Sequence, residues 1–235
     1  PNILEIHNRS QIVFELLKKR NDLNVVLYYH NDPRTMKGSI LKSDREWLLK
    51  NLKGIICVSD YIKNCFLDNL RINSHLKDKV VVVRNGVKKL KINIEKKNQI
   101  LIVGRMIPEK GVLEACKALA NILPEFPDWS LALVGAKNFH NNTKKSNYEK
   151  EIKKILEPIN KQVKIFGHLQ RSKLNLIQKT SMISIVPSLW EEPAGLTVSE
   201  ALAAKSALIT TNKGGISEVA YGNALIIDVF DTDKN

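Results

Sequence analysis

The chain has 235 residues, of which 43% are hydrophobic and 26% charged, with a formal net charge of +13. These are the proportions of a soluble globular protein with room for one large domain or two modest ones. No apolar run reaches the roughly 18 to 20 residues that a bilayer span needs, and no secretory signal is visible.

Cys57, Cys65 and Cys116 show neither metal nor redox spacing. An odd count without pattern points to a reducing compartment. The charge is unevenly placed: the first 97 residues carry +10 of it and the rest +3. Solvated surface lysine is one reading. An anionic membrane surface or an acidic acceptor as partner is the other. Nucleic acid is not expected, because no recognised motif and no basic stretch interleaved with aromatics is present. Pro1 is not a natural start, so a chain cut at its N-terminus is expected.

In chain order, residues 2–6 form a short apolar strand, and His7-Asn8-Arg9 leaves its end. A helix follows from Ser10, with Ile12, Val13, Leu16 and Leu17 at helical spacing. Residues 24–29 are β-branched and apolar, a buried strand ending in His30. Residues 43–52 read as helix, 54–58 as strand, 59–70 as helix and 79–83 as strand into Asn85-Gly86-Val87. The lysine-rich stretch 88–99 has no sustained pattern and reads as a linker between domains 1–87 and 100–235.

Beyond it, residues 100–103 form a strand that runs into Gly104-Arg105 and on to Lys110-Gly111. A helix over 112–123, a strand over 129–134, a polar loop over 137–147 and a helix over 148–160 follow. Then come a strand over 163–166 into Gly167-His168, a helix from Ser172, and strands over 183–186, 207–211 and 224–228. Strand and helix alternate throughout, which argues parallel sheets with covered faces. Ligands in such sheets bind beyond the carboxyl ends of the strands. His7, His30, Ser59, Asn85, Arg105, Gly135, His168 and Glu192 all stand at such ends.

The densest pattern lies at 186–218, V-P-S-L-W-E-E-P-A-G-L-T-V-S-E-A-L-A-A-K-S-A-L-I-T-T-N-K-G-G-I-S-E. Glu192 and Glu200 bracket a loop that turns into a small-residue helix, and Gly214-Gly215 opens another. Helix starts carry unpaired N–H groups and favour anions. A phosphate there, with carboxylates accepting from hydroxyls, describes a sugar nucleotide. The plain reading of Thr197-Val198-Ser199-Glu200 is a capping box, and that of Gly214-Gly215 a turn.

The order Pro187-Ser188, Glu192-Pro193-Ala194-Gly195-Leu196, Glu200-Ala201-Leu202-Ala203, Gly214-Gly215, Glu218 resembles the donor site of retaining glycosyltransferases of family 4. It departs from the family pattern at Ala194 and Lys205, and neither touches the glutamates. The string V-G-R-M-I-P-E-K-G at 103–111 resembles the same family's donor diphosphate motif.

The resemblance implies an α/β GT-B fold: two Rossmann-like parallel-sheet domains facing a cleft. It implies that the N-terminal, acceptor-side domain is incomplete and that the C-terminal domain lacks its closing helix. It implies that Arg105 and Lys110, beside Gly104, hold and stabilise the leaving diphosphate. It places Glu200 on the ribose and Glu192 on the transferred sugar. The backbone of Gly195, Leu196 and Thr197 falls to the sugar or phosphate, and that of His168 and Leu169 to the base.

His30 would reach the donor sugar and phosphate from the N-terminal domain, and His7 would line the acceptor side. The catalytic set would be His30, Glu192, Arg105 and Lys110. No cofactor and no metal are expected; the donor is a nucleotide-diphosphate sugar.

The segments H-N-R and H-N-D-P-R-T-M resemble transferases of lipopolysaccharide core or other envelope glycans. The expected acceptor is thus a glycan or glycolipid, and the expected location is cytoplasmic, peripheral on the inner face of the plasma membrane. The alternatives are a GT-B relative with other chemistry, such as a sugar-nucleotide epimerase or a phosphorylase, and a non-catalytic sugar-nucleotide-binding protein. As cut, the chain is expected to bind nucleotide weakly, to associate with itself and to transfer sugar poorly.

Overall fold

A computed structural model describes residues 2–91, 93–137 and 145–229. The chain divides into two compact units, Pro1–Asn85 and Gly86–Asn235.

In the first unit β1 (Ile3–His7), β2 (Asn24–Tyr29), β3 (Gly54–Cys57) and β4 (Val80–Val82) form a parallel sheet in that order. The helices α1 (Ser10–Lys19), α2 (Lys42–Asn51), α3 (Asp60–Leu67) and α4 (Ser74–Lys77) connect them. Strand period explains the core. Val25, Leu27 and Tyr29 of β2 are all but fully buried, with Val13, Leu48, Ile55, Ile62 and Phe66. Each such aliphatic contributes roughly 1.5 to 3 kcal/mol on leaving water. Tyr28 and the residue after the strand, His30, fall on the opposite face. Ser59 caps α3, its hydroxyl accepting from the Ile62 amide at 3.1 Å. The helix stops at Leu67, earlier than the spacing predicts, and Asn69 takes a positive φ of 59°.

Part of the basic excess is structural. Arg45 is buried, and its guanidinium donates to the carbonyls of Phe66 (3.0 Å), Ser39 (3.0 Å), Ile40 (2.8 Å) and Asp68 (3.0 Å). Lys79 Nζ donates to the carbonyls of Leu49 (3.2 Å) and Leu52 (3.0 Å) at the end of α2. Both cations satisfy carbonyls that a helix end leaves over.

The second unit holds β5 (Lys97–Val103), β6 (Ser130–Val134), β7 (Val163–Ile165), β8 (Ser181–Val186), β9 (Ala207–Thr211) and β10 (Leu225–Ile227). They form one parallel sheet in the order β10-β9-β8-β5-β6-β7. The helices are α5 (Val112–Ile122), α6 (Asn147–Ile155), α7 (Arg171–Thr180), α8 (Leu196–Ala203) and α9 (Ile216–Ala220). Ile100 and Ile102 of β5 pack into a core with Val112, Cys116 and Leu119 of α5 and Ile152 of α6. Leu101 faces the other way, toward Val134 and Leu174 of α7. Helices therefore cover both faces, which is why the strands read as continuous apolar runs.

β5 opens at Lys97, inside the stretch whose pattern suggests a linker through 99. Lys97 pairs with Ser181, and the Lys96 ammonium donates to the carbonyls of Ser181 and Ala204, each at 2.7 Å. Burial holds the Lys96 pKa below its ordinary value. α6 ends at Ile155 and gives way to a 3-10 segment, Glu157–Gln162. Pro158, at the start of that segment, brings no N–H to continue the α-helical ladder. Of the expected polar loop at 137–147, residues 138–144 lie outside the described residues, as do 230–235 at the end of the second expected domain.

Candidate functional site

The chain runs from β5 outward through β6 to β7, then returns to place β8 on the other side of β5. The strand order reverses between β5 and β8. In open parallel sheets the crevice outside the carboxyl ends of two such strands is where ligands bind. The loops leaving them are 104–111 and 187–195, the two stretches that the motifs single out.

These loops are locked together by backbone. The Glu109 carbonyl accepts from the amides of Leu189 and Trp190, each at 3.0 Å. Gly111 has φ +62°, and a Cβ there would lie 1.9 Å from the Pro187 carbonyl oxygen. The Gly215 amide donates to the Glu192 carbonyl at 2.7 Å, and a Cβ on Gly214 would meet that oxygen at 2.4 Å. Glycine is therefore required by close approach, as well as by turn geometry.

The interlock brings Lys110 Nζ onto Glu192 Oε1 as an ion pair. Ser188 Oγ donates to the same carboxylate oxygen at 2.9 Å. The Ser188 carbonyl is held in turn by Thr211 Oγ1 at 2.6 Å.

α8 starts with Gly195 in the left-handed region, φ 57° and ψ 50°, and no side chain caps it. The capping-box reading of Thr197 to Glu200 is corrected by this: the cap position is Gly195, two residues earlier. The amides of the first turn, at Leu196 and Thr197, have no intrahelical acceptor. Glu200 points to other partners. Its Oε1 pairs with Arg171 at 2.6 Å, and its Oε2 accepts from Gln178 Nε2 at 3.0 Å. Gln178 is 2% exposed, and its own Oε1 has no protein partner among the described residues.

Beyond β5 and β6 lies a concavity of about 200 Å³ lined by Gly104, Arg105, Gly135, His168, Leu169 and Leu174. Its floor is backbone. The Gly104 amide donates to the Val134 carbonyl at 3.0 Å, and the Gly135 amide to the Gly167 carbonyl at 2.7 Å. Gly135 has φ +133°, and a Cβ there would lie 1.8 Å from the Gly104 carbonyl oxygen. Arg105 and His168 are exposed at the rim, and Leu169 is half-buried.

In the first unit His7 and His30 meet. β1 and β2 pair in parallel with His7 opposite Tyr28, so Glu5, His7, Tyr28 and His30 share one face. His7 Nδ1 lies 2.8 Å from His30 Nε2, and His7 Nε2 lies 3.0 Å from Glu5 Oε1. Tyr28 stacks on His30 with centroids 4.4 Å apart and planes 2° from parallel. The Tyr28 hydroxyl donates to the Val83 carbonyl at 2.7 Å. Asn8, with φ 52°, accepts from the His30 amide through Oδ1 at 2.8 Å. Partial burial pushes the His30 pKa below the ordinary imidazole value; the neighbouring His7 adds to this and Glu5 opposes it.

The expected residues thus fall into four groups. Lys110 and Glu192 touch. Gly104, Arg105, His168 and Leu169 line one concavity. Gly195, Leu196 and Thr197 form a helix start, with Glu200 held beside it. His7 and His30 touch in the other unit. Sequence reasoning passed over Ser188, Arg171, Gln178, Glu5 and Tyr28 as site residues. Strand alternation around His7 and His30 is a signal for Glu5 and Tyr28. Nothing in the spacing marks Arg171 or Gln178.

The family model described as Glycosyl transferases group 1 matches residues 86–233, and that described as Glycosyltransferase Family 4 matches residues 1–89. YtcC of Bacillus subtilis (strain 168) is 25% identical over 251 residues, taking in 98% of this chain and 60% of YtcC. The lipopolysaccharide 1,2-N-acetylglucosaminetransferase of Salmonella typhimurium is 23% identical over 230 residues, 92% of this chain and 56% of that protein. Among solved structures, Anabaena Alr3699/HepE in complex with UDP superposes with a TM-score of 0.73 at 17% identity, covering 95% of this chain and 64% of that one. At that identity the likeness is one of fold, the GT-B fold of two parallel-sheet α/β domains. The chain spans 56 to 60% of the length of these two curated relatives.

Proposed function

The chain belongs to the glycosyl transferases group 1 family, and from that premise we propose that it moves a sugar from a nucleotide-diphosphate donor to a glycan or lipid-linked acceptor, with retention and without a metal. The observation that carries this reading is the Lys110–Glu192 pair, seated where the strand order reverses between β5 and β8.

The chemistry follows from the donor set. Lys110 and Arg105 meet the diphosphate, and their positive charge stabilises it as it leaves. The amides at the start of α8 add further donors for the phosphate or sugar oxygens. Glu192 accepts from hydroxyls of the transferred sugar and Glu200 from the ribose, each bond contributing about 1.5 to 3 kcal/mol. These carboxylates already have partners in Lys110, Ser188, Arg171 and Gln178. Donor hydroxyls therefore replace or share existing partners at charges already paired.

The bond from the anomeric carbon to the phosphate oxygen breaks, and its electron pair goes to the diphosphate. The acceptor hydroxyl attacks the same face of the sugar, and its proton passes to the leaving phosphate oxygen. The protein's part is positioning and charge stabilisation, for which no cofactor is needed.

Two supports favour an envelope acceptor: the Salmonella relative named for lipopolysaccharide, and the basic excess of the first 97 residues. Among the described residues no helix is long and apolar enough to cross a membrane. We place the protein in the cytoplasm, peripheral on the inner face of the plasma membrane, where donor and acceptor meet.

The test uses the full-length protein. UDP-, GDP- and ADP-sugars are screened by thermal shift, and the product of the best donor is analysed by NMR. The expected result is stabilisation by one nucleotide class, turnover unaffected by a chelator, and an unchanged anomeric configuration. Inversion, or loss of turnover with chelator, would overturn the mechanistic part. Stabilisation by none of the nucleotides would overturn the donor assignment.

A further inference from the structure

Two histidine rings lie edge to edge in the first unit, and the groups around them fix where their protons are. Glu5 is a carboxylate and only accepts, so His7 Nε2, 3.0 Å from it, carries the hydrogen. A neutral His7 then has only a lone pair on Nδ1. Across the 2.8 Å contact, His30 Nε2 must be the donor. His30 Nδ1 is left as a bare acceptor, with no partner among the described residues.

The rings are held for this. Their planes differ by 14°, with centroids 5.1 Å apart, the arrangement of a nearly coplanar edge-to-edge hydrogen bond. Tyr28 packs parallel to the face of His30 and is itself tied to the Val83 carbonyl. Asn8 takes the His30 amide. β-Sheet register supplies the spacing, since His7 stands opposite Tyr28 and Glu5 one strand period earlier.

We propose that Glu5 and His7 are positioning residues that hold His30 in the tautomer with hydrogen on Nε2. His30 thereby offers Nδ1 as a hydrogen-bond acceptor to a sugar hydroxyl. This deepens the reading above and rests on the expectation from the sequence that His30 meets the donor sugar. An acceptor nitrogen recognises a hydroxyl, whereas an N–H at the same place would favour a phosphate oxygen. The chain of hydrogen bonds thus decides which part of a donor His30 recognises. The lowered His30 pKa agrees, because it keeps the ring neutral and the lone pair available.

The experiment records histidine ring ¹⁵N spectra of the full-length protein at mildly alkaline pH. Wild type is compared with Glu5→Lys and His7→Phe. Glu5 is half exposed, so a lysine is accommodated there. Lysine only donates, so it should reverse the chain and move the hydrogen to Nδ1 on both rings. His7→Phe removes the acceptor and should leave His30 in a mixture of tautomers. In Glu5→Lys the donor KM should rise about tenfold, the equivalent of one hydrogen bond, with kcat changed less.

A His30 ring spectrum that is the same in all three proteins would overturn the proposal, whatever the kinetics. If the tautomer responds but His30→Ala leaves the donor KM unchanged, hydroxyl recognition falls, and with it the placing of His30 at the donor, while the tautomer control stands. If His30→Ala raises KM while the spectra do not respond, the donor assignment stands and the relay falls.

Discussion

In the second unit backbone contacts bring the candidate site residues together, and in the first unit side chains do. Gly111, Gly135 and Gly214 let main chain approach main chain where a Cβ would lie 1.8 to 2.4 Å from a carbonyl oxygen. Lys110, Ser188 and Glu192 are brought together by that interlock. Glu5, His7, Tyr28 and His30 need none of it: ordinary parallel register places them on one face. A backbone-built site loses its geometry when a methyl group is added. A register-built site loses function one side chain at a time and keeps its fold.

The largest expected effect breaks the backbone side of that contrast. Gly135→Ala forces an L-residue to φ +133° and places its Cβ 1.8 Å from the Gly104 oxygen. It should destabilise the second unit by about 3 kcal/mol or more, read as a lower denaturant midpoint. A midpoint unchanged within error would show that the backbone can move apart at Gly104 and Gly135, and that this close approach does not set the concavity.

Next in size, Lys110→Met and Arg105→Ala should each lower turnover on the order of 100-fold while the midpoint hardly moves. Equal losses of activity and stability would assign these cations to folding. Smaller still, Asn8→Ala removes the acceptor for the His30 amide and puts a β-carbon residue without a local hydrogen bond at φ 52°. It should cost the first unit about 1 kcal/mol and leave the second unchanged.

The smallest effect concerns pH. The folded His30 pKa lies below the ordinary 6.5, so the unfolded chain binds the proton first as the solution is acidified. The contribution to stability is present above 6.5 and is lost as pH falls through the folded value. The first unit should therefore lose more stability on acidification in wild type than in His30→Asn. A gain on acidification would mean that Glu5 outweighs burial and His7.

The same contrast explains what could be read before the structure. Apolar runs such as residues 24–29 and 207–211 announce buried parallel strands, and both formed as expected. Glycines at 111, 195 and 214 mark the loops, because their positive φ and the close approaches at 111 and 214 favour glycine. What the loops do to each other was not legible. The contact of Glu109 with residues 189 and 190 joins segments about 80 residues apart. The start of β5 was hidden because Lys96 and Lys97 look solvated in sequence, yet their amine and backbone are used by Ser181 and Ala204. Arg45 and Lys79 mislead in the same way: charge counted as surface is spent on helix ends.

The central claim is that Lys110 serves the diphosphate and Glu192 the sugar. Calorimetric titration of the full-length protein, its Lys110→Met variant and its Glu192→Gln variant tests it most directly. The ligands are the free nucleoside diphosphate and the corresponding nucleotide sugar. The account predicts that Lys110→Met weakens both ligands about tenfold or more, whereas Glu192→Gln weakens only the nucleotide sugar. Equal weakening of the two ligands by Glu192→Gln, or no weakening of the diphosphate by Lys110→Met, would contradict it.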